Sequence, residues 1–212
     1  FMNEIFSIGI PSINQAELLE SYLKMYVEDF PHTMIYILDN GLQDFKFRNP
    51  NVEIIKNYEP FPISKSWNWL AKKIYSHSDN ALILNDDIYL GKSEDSIADL
   101  LKTPSDLYCA EHEFDCFSAF ILPKKTFVEC GGFDEEFTEC YYEDSDYLRY
   151  LTVTREKSVI YTPSLNAHLF KRNSSVTKNP KLAENRYINE RRYIQKWDGA
   201  IGNEKYKTPF GK

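Results

Sequence analysis

The chain has 212 residues, 42% apolar and 15% aromatic, with only 10 prolines and 8 glycines, which suits one domain with its own core and excludes a disordered or collagen-like chain. Its 25 Lys and Arg against 32 Asp and Glu leave a net charge of -7, which argues against a nucleic-acid partner, since phosphate neutralisation needs a basic footprint. No apolar run approaches the about 20 residues of a membrane span and no leader pattern opens the sequence, while Cys109, Cys116, Cys130 and Cys140, without any Cys-x-x-Cys pair, read as reduced, mostly buried thiols rather than zinc ligands, so the expected compartment is the cytoplasm.

Residues 5–10 (IFSIGI) are an apolar run halted at Pro11, the pattern of a buried strand. Over 15–30, Leu19, Tyr22, Leu23, Tyr26 and Phe30 recur three or four residues apart, which predicts a helix with Asn14 as its N-cap and Glu17 completing a capping box. Residues 34–38 (MIYIL) are a second strand broken by Asp39-Asn40-Gly41, so the three elements make a βαβ unit. A strand at 52–55, a helix at 64–77 with Trp67, Leu70, Ala71 and Ile74 on one stripe, and a strand at 81–84 ending in Asn85-Asp86-Asp87 continue the alternation. A helix at 93–101, a strand at 117–122, a short helix at 124–130 stopped by Gly131-Gly132, a helix at 144–155 and an extended segment at 159–161 follow. The pattern predicts a single α/β domain with a mixed, mostly parallel central sheet flanked by helices.

Charge is unevenly distributed. From Lys171 to Lys196 there are eight basic residues and two acidic ones, Glu184 and Glu190, a net +6 that leaves -13 on the rest. A solvated amphipathic helix and an anion-binding segment both account for it.

In an open α/β sheet, ligands bind beyond the carboxyl ends of the strands. Three polar clusters fall there: Pro11-Ser12-Ile13-Asn14, Asp39-Asn40-Gly41 and Asn85-Asp86-Asp87. The first offers backbone donors, a hydroxyl and an amide beside a helix start, the second a carboxylate for a base or ribose hydroxyl, although each singly also reads as a turn. Paired carboxylates directly after an apolar strand can hold a hard divalent cation through oxygen ligands, and such a cation can bridge a diphosphate. The densest acidic stretch is Gly131-Gly132-Phe133-Asp134-Glu135-Glu136-Phe137, followed by Tyr141-Tyr142-Glu143-Asp144-Ser145-Asp146. So many carboxylates ahead of a helix repel one another unless some face a cation or handle protons, the helix dipole being the alternative explanation.

Taken in order, Ile10-Pro11-Ser12-Ile13-Asn14, Leu38-Asp39-Asn40-Gly41, Leu84-Asn85-Asp86-Asp87 and the block from Gly131 through Asp146 resemble the motifs of family 2 glycosyltransferases with the GT-A fold. Asn57, Ser66-Trp67-Asn68 and a late His168 with Ser174 and Ser175 extend the resemblance, which runs from residue 5 to about 175. It implies a nucleotide-binding half over about 1–90, an acceptor and catalytic half over about 91–175 and a basic helical segment over about 176–212 within one domain, 1–212. It further implies that Pro11, Ser12, Asn14, Asp39, Asn40, Asn57 and Ser66 contact the nucleotide, with Arg191 from the basic segment. Asp87 and His168 would hold manganese or magnesium on the donor diphosphate, with Asn85 and Asp86 beside the donor, and Asn85 standing where the family's acidic motif usually begins with Asp. Asp144 resembles the general base of inverting members, with Glu143, Asp146 and Asp134 as alternates. A looser likeness connects the whole chain to capsid-decorating transferases of large algal DNA viruses.

These expectations converge on an inverting, metal-assisted transferase moving a hexosyl or deoxyhexosyl group from a nucleoside-diphosphate sugar, UDP-linked by preference, to a hydroxyl of a glycan or glycoprotein. A non-catalytic nucleotide-sugar or carbohydrate-binding module and a retaining transferase are the alternatives. Trp67, Trp69, Tyr141 and Tyr142 are candidates for stacking on sugar faces, with core packing an equal account of Trp67.

Overall fold

Strand β1 (Ser7–Ser12) is buried at every residue, as an unbroken apolar run requires of a strand covered on both faces. The computed structural model describes residues 5–111, 116–170 and 180–212. After β1 come α1 (Ala16–Asp29), β2 (Ile35–Asp39), β3 (Val52–Lys56), α2 (Ile63–Ile74), β4 (Asn80–Leu84), β5 (Ile88–Tyr89), α3 (Glu94–Leu100), β6 (Leu107–Ala110), β7 (Ala119–Pro123), α4 (Lys124–Cys130), α5 (Glu143–Arg149), β8 (Val159–Thr162), β9 (Leu169–Phe170) and α6 (Pro180–Trp197). Seven strands form one sheet in the order β3-β2-β1-β4-β7-β6-β8. Only β7 runs against its neighbours; the other six are mutually parallel.

Strand alternation divides the core into two layers. Ile8, Ile10, Ile35, Ile37, Leu82 and Leu84 pack against Leu19, Leu23 and Tyr26 of α1 and Ile97 of α3. Tyr36, Leu38, Ala81 and Ile83 face Trp67, Leu70 and Ile74 of α2, joined by Tyr147 of α5 and Phe133. Gly9 lets α2 lie close on the sheet centre, because a Cβ there would stand 2.9 Å from Ile83 Cδ1 and 3.1 Å from Leu70 Cβ.

Two features open the sheet at its carboxyl edge. Strands β1 and β4 are registered only over Ser7–Gly9 with Ala81–Ile83, whereas β1 and β2 stay paired to Ser12 and Asp39. Pro11, which has no N–H to give, lies just where β4 leaves β1, so the two strands part there. Between the chain direction taken by β2 and that taken by β4, this is the crevice of a doubly wound sheet.

Several local expectations are corrected. Asn14 is not the N-cap of α1: it has φ 57, the first non-helical position is Gln15, and no side chain of its own caps it. Gln43 does so instead from a distant loop, its Oε1 accepting from Gln15 N at 2.6 Å and Ala16 N at 2.7 Å. The predicted helix over 144–155 is α-helical only to Arg149 and then widens into a π-turn over Tyr150–Thr154, with Arg155 N donating to Tyr150 O at 3.0 Å. Strand β6 and the small antiparallel pair β5 and β9 have no counterpart in the sequence reading.

Candidate functional site

Ser12 and Asp39 end two paired strands and are registered opposite each other. Asp39 is fully buried; its carboxylate accepts from Gly41 N at 3.0 Å, Gln43 N at 2.8 Å and Gln43 Nε2 at 3.0 Å. Gln43 Nε2 also donates to Ser12 Oγ at 3.2 Å, so one glutamine ties together Ser12, Asp39 and the start of α1. Asn14, in contrast, is exposed.

A second network lies beside it. Asn40 Nδ2 donates to Ser66 Oγ at 3.0 Å, and Asn40 Oδ1 accepts from Asn57 Nδ2 at 2.8 Å and Phe61 N at 3.3 Å. Three residues proposed from the sequence for one nucleotide site therefore meet, and they orient one another at the N-terminus of α2. Ile63 N, the first amide of that helix, donates to Glu139 O at 2.8 Å, which brings the acidic loop before α5 to the same edge.

The acidic pair after β4 stands at the mouth of the crevice. Asp86 Oδ2 accepts from Ile13 N at 3.1 Å across the gap between the ends of β1 and β4. Burial first, and the neighbouring Asp87 charge after it, push the Asp86 carboxyl up to about 7 against the opposing pull of its hydrogen bonds. Asp87 is buried, and its charge reaches Tyr22, whose hydroxyl is buried without a hydrogen-bond partner. Asn85 N donates to Ser118 O at 2.9 Å, fastening the turn to the strand beyond. The donor chemistry of this pair, hard oxygens crowded in a poorly solvated place, fits a divalent cation.

His168 reaches the same region on a separate ribbon. Strand β9 pairs with β5, His168 N donates to Tyr89 O at 2.8 Å, and the imidazole packs over Gly91, where a Cβ would stand 2.6 Å from His168 Cβ. The side chain is exposed, and among the described residues no group of three or more His, Cys, Asp and Glu is close enough to hold a metal ion. Ser174 and Ser175 lie outside the described residues.

The loop before α5 is held in an uncommon backbone state. Glu139, Tyr141 and Tyr142 have φ of 55°, 82° and 73°, the left-handed region that side chains with a Cβ seldom occupy. Glu143 then opens the helix, almost fully buried, and its Oε2 has no hydrogen-bond partner. Burial and the Asp144 charge push its carboxyl up to about 8. Asp144 is half-buried, accepts from Ser145 N at 2.6 Å and Ser145 Oγ at 3.3 Å, and is raised by burial above the ordinary carboxylate range.

Asp146 points elsewhere. Its Oδ2 takes Lys196 Nζ at 2.8 Å and its Oδ1 takes Trp197 Nε1 at 2.8 Å, both from α6. Lys196 also bonds Asp134 Oδ2 at 2.8 Å, and Arg192 reaches Asp134 at 2.9 Å and Glu136 at 2.6 Å. Arg192 and Lys196 of the basic segment thus neutralise the acidic loop of their own chain, whereas Arg191 is exposed on α6 with its Nε donating to Tyr187 O at 3.3 Å. Trp67, packed among Phe117, Phe120 and Phe133, is core.

Three contributors escaped the sequence reading. Gln43 left no local signal. Lys196 was counted only as charge. Asn189 did leave one: with Tyr193, Lys196 and Trp197 it makes a stripe four, seven and eight residues long on a helix otherwise full of charges, and that stripe is the buried one.

No protein-family model matches the sequence, and no curated protein matches it. Solved structures do match in fold. Mannosyltransferase PcManGT from Pyrobaculum calidifontis, in complex with GDP-Man and Mn2+, superposes with a TM-score of 0.64 at 12% identity over 90% of this chain and 64% of its own. GalNAc-T7, with UDP, GalNAc and Mn2+, gives 0.67 at 11% identity over 92% of this chain and 48% of its own. The galactosyltransferase LgtC, in complex with donor and acceptor sugar analogs, gives 0.51 at 17% identity over 74% and 73%. This chain spans less than two thirds of the length of the first two. At such identities the likeness is one of fold, and the fold is the single mixed α/β domain of GT-A nucleotide-diphospho-sugar transferases.

Proposed function

We propose that the chain is a glycosyltransferase that moves a hexosyl or deoxyhexosyl group from a nucleoside-diphosphate sugar, UDP-linked by preference, to a hydroxyl of a glycan or glycoprotein with inversion. The observation that carries the reading is the gathering of two acidic pairs, Asp86-Asp87 and Glu143-Asp144, at the carboxyl edge of a sheet whose central strands part at Pro11. One pair suits a cation and the other suits a proton.

Ser12, Asp39 and the Asn40, Asn57 and Ser66 network line the nucleotide side, with Pro11, Asn14, Asn85 and Arg191 assigned there from the sequence. Asp87 would hold manganese or magnesium, with Asp86 beside it in the chain and His168 assigned as a second ligand from the sequence, and the ion when bound supplies charge for the departing diphosphate. Asp144 takes the proton of the acceptor hydroxyl. The new bond from that oxygen to the anomeric carbon forms on the face opposite the diphosphate, whose bond to the same carbon breaks and whose oxygen keeps the electron pair. A base held by burial above the ordinary carboxylate range is better matched to a neutral medium, and such help is worth about 10²–10⁴ in rate. The looser viral likeness would make a capsid glycoprotein the acceptor.

The test is release of nucleoside diphosphate from a panel of UDP- and GDP-sugars with manganese, with the product's anomeric configuration read by NMR. Asp144→Asn is expected to keep donor affinity and lose turnover, the pattern of an interaction made in the transition state. Donor binding without release marks a non-catalytic module, a retained anomer marks a retaining enzyme, and near-normal turnover in Asp144→Asn removes that residue from the role.

A further inference from the structure

Asn189 stands in the middle of α6, far in sequence from the acidic loop and 1% exposed. All of its side-chain bonding capacity is turned on four backbone groups of that loop. Its Oδ1 accepts from Thr138 N at 3.2 Å, and its Nδ2 donates to Thr138 O at 2.8 Å, Cys140 O at 3.0 Å and Tyr141 O at 3.0 Å. These groups flank the left-handed residues Glu139, Tyr141 and Tyr142. Three such conformations in non-glycine residues are unfavourable and persist only where the surrounding structure over-determines them. Asn189 is that structure on the upstream side. On the downstream side, Lys196 and Trp197 of the same helix hold Asp146, three residues after Glu143. The acid pair Glu143-Asp144 is therefore spanned by two anchors that both belong to α6.

We propose that Asn189 is a positioning residue for the reaction: by clamping the backbone of 138–141 it sets the direction in which α5 presents Glu143 and Asp144 to the acceptor. It acts through Asp144 and touches no substrate. The proposal rests on the transferase reading and deepens it by making α6 part of the machinery. The acceptor side of the site is then built on two distant segments of the chain, and the strain in the loop is what fixes the carboxylate's aim.

The experiment compares Asn189→Ala with Thr33→Val. The second variant removes a hydrogen bond of the buried Thr33 ahead of β2, where its Oγ1 donates to Glu94 Oε1 at 2.7 Å, a contact that involves neither α5 nor α6. Turnover is measured as nucleoside diphosphate released from the best donor of the UDP- and GDP-sugar panel, donor affinity by calorimetry, and amide hydrogen exchange across 138–143 by mass spectrometry. For folded Asn189→Ala we expect donor Kd within twofold of wild type and kcat lower by about 10- to 100-fold, the size of effect a misplacement of roughly an ångström produces. Exchange at 139–142 should rise, while Thr33→Val, compared at equal margin below its melting temperature, keeps kcat within twofold. Should Asn189→Ala not fold, Asn189→Asp serves, since it keeps the volume and the acceptor for Thr138 N while turning a carboxylate oxygen on three carbonyls. The inference is overturned if kcat stays within twofold in the folded variant, or if Thr33→Val loses as much turnover as Asn189→Ala does. A wild-type chain that releases no nucleoside diphosphate from any donor overturns the transferase reading and this inference with it, which separates the two failures.

Discussion

Replacing Lys196 by Met keeps most of the stem's volume and removes one charge from a nearly dry place. Lys196 and Asp146 have side-chain exposures of 8% and 2%, and their contact is 2.8 Å. Removing one partner of such a pair strands the other's charge and typically costs about 3–5 kcal/mol. Here the lower end applies, because Asp146 keeps the Trp197 Nε1 bond and Asp134 keeps Arg192. For a chain of this length a loss of about 3 kcal/mol lowers Tm by about 6–12 °C. The sign of the pH effect follows from the same burial. Asp146 already sits above the ordinary carboxylate range because burial outweighs Lys196, and without Lys196 it rises further. A carboxyl raised in the folded state binds a proton that the unfolded chain has released, so the variant's deficit is smallest at low pH and grows as pH rises through the folded value. Urea melts of wild type, Lys196→Met and Lys196→Met with Asp146→Asn measure all of this, and the double variant should recover more than half of the loss at neutral pH. A loss below about 1 kcal/mol, or no recovery in the double variant, would refute the assignment of Asp146 as a structural anion.

Gly132→Ala should destabilise by about 2–4 kcal/mol, because the new Cβ overlaps Asn68 Oδ1 and stands 2.7 Å from Phe127 Cε2; displacing Asn68 breaks its bonds to Phe133 N, Phe133 O and Glu135, and chemical denaturation checks the loss. Glu143→Gln should flatten the pH dependence of stability above the ordinary Glu range: the wild-type carboxyl, facing Asp144, Asp146 and Cys140 and raised to about 8, stabilises fully below about 4.5 and progressively less up to about 8, so the variant is the more stable one at pH 8. Parallel melts at pH 5 and pH 8 decide it, and identical slopes would show that Glu143 is ionised throughout.

The α/β plan was legible because β1, β2 and β4 are continuous apolar runs and α1 and α2 carry apolar residues at helical spacing, so that each run or stripe has a visible period or end. The turn clusters were legible for the same reason, since they begin where those periods stop. Strand β6 was not: its four residues, LYCA, are too short to declare a period, and they become a strand only by pairing with β7 and β8. The capping of α1 was misread because the sequence offers Asn14 locally, whereas Gln43 comes from a loop 28 residues on. Asp146 illustrates the limit best. Its neighbours in sequence made it one of several carboxylates near a helix start, and nothing local distinguishes it from Asp144. The distinction comes from Lys196 and Trp197, 50 and 51 residues later.

Proline at position 11 has a consequence for how this cleft can change. A parallel sheet tends to zip: each N–H offered beside a free carbonyl extends the ladder by one rung. At Pro11 the zipper has a missing tooth facing the departure of β4, so the gap is kept open by the main chain and does not depend on the size of the side chains around it. The residues lining the gap are then free to vary in shape and charge without the walls closing on them, and a new ligand specificity can be reached by exchanging side chains alone. Replacing Pro11 with a residue that carries an N–H would remove that freedom.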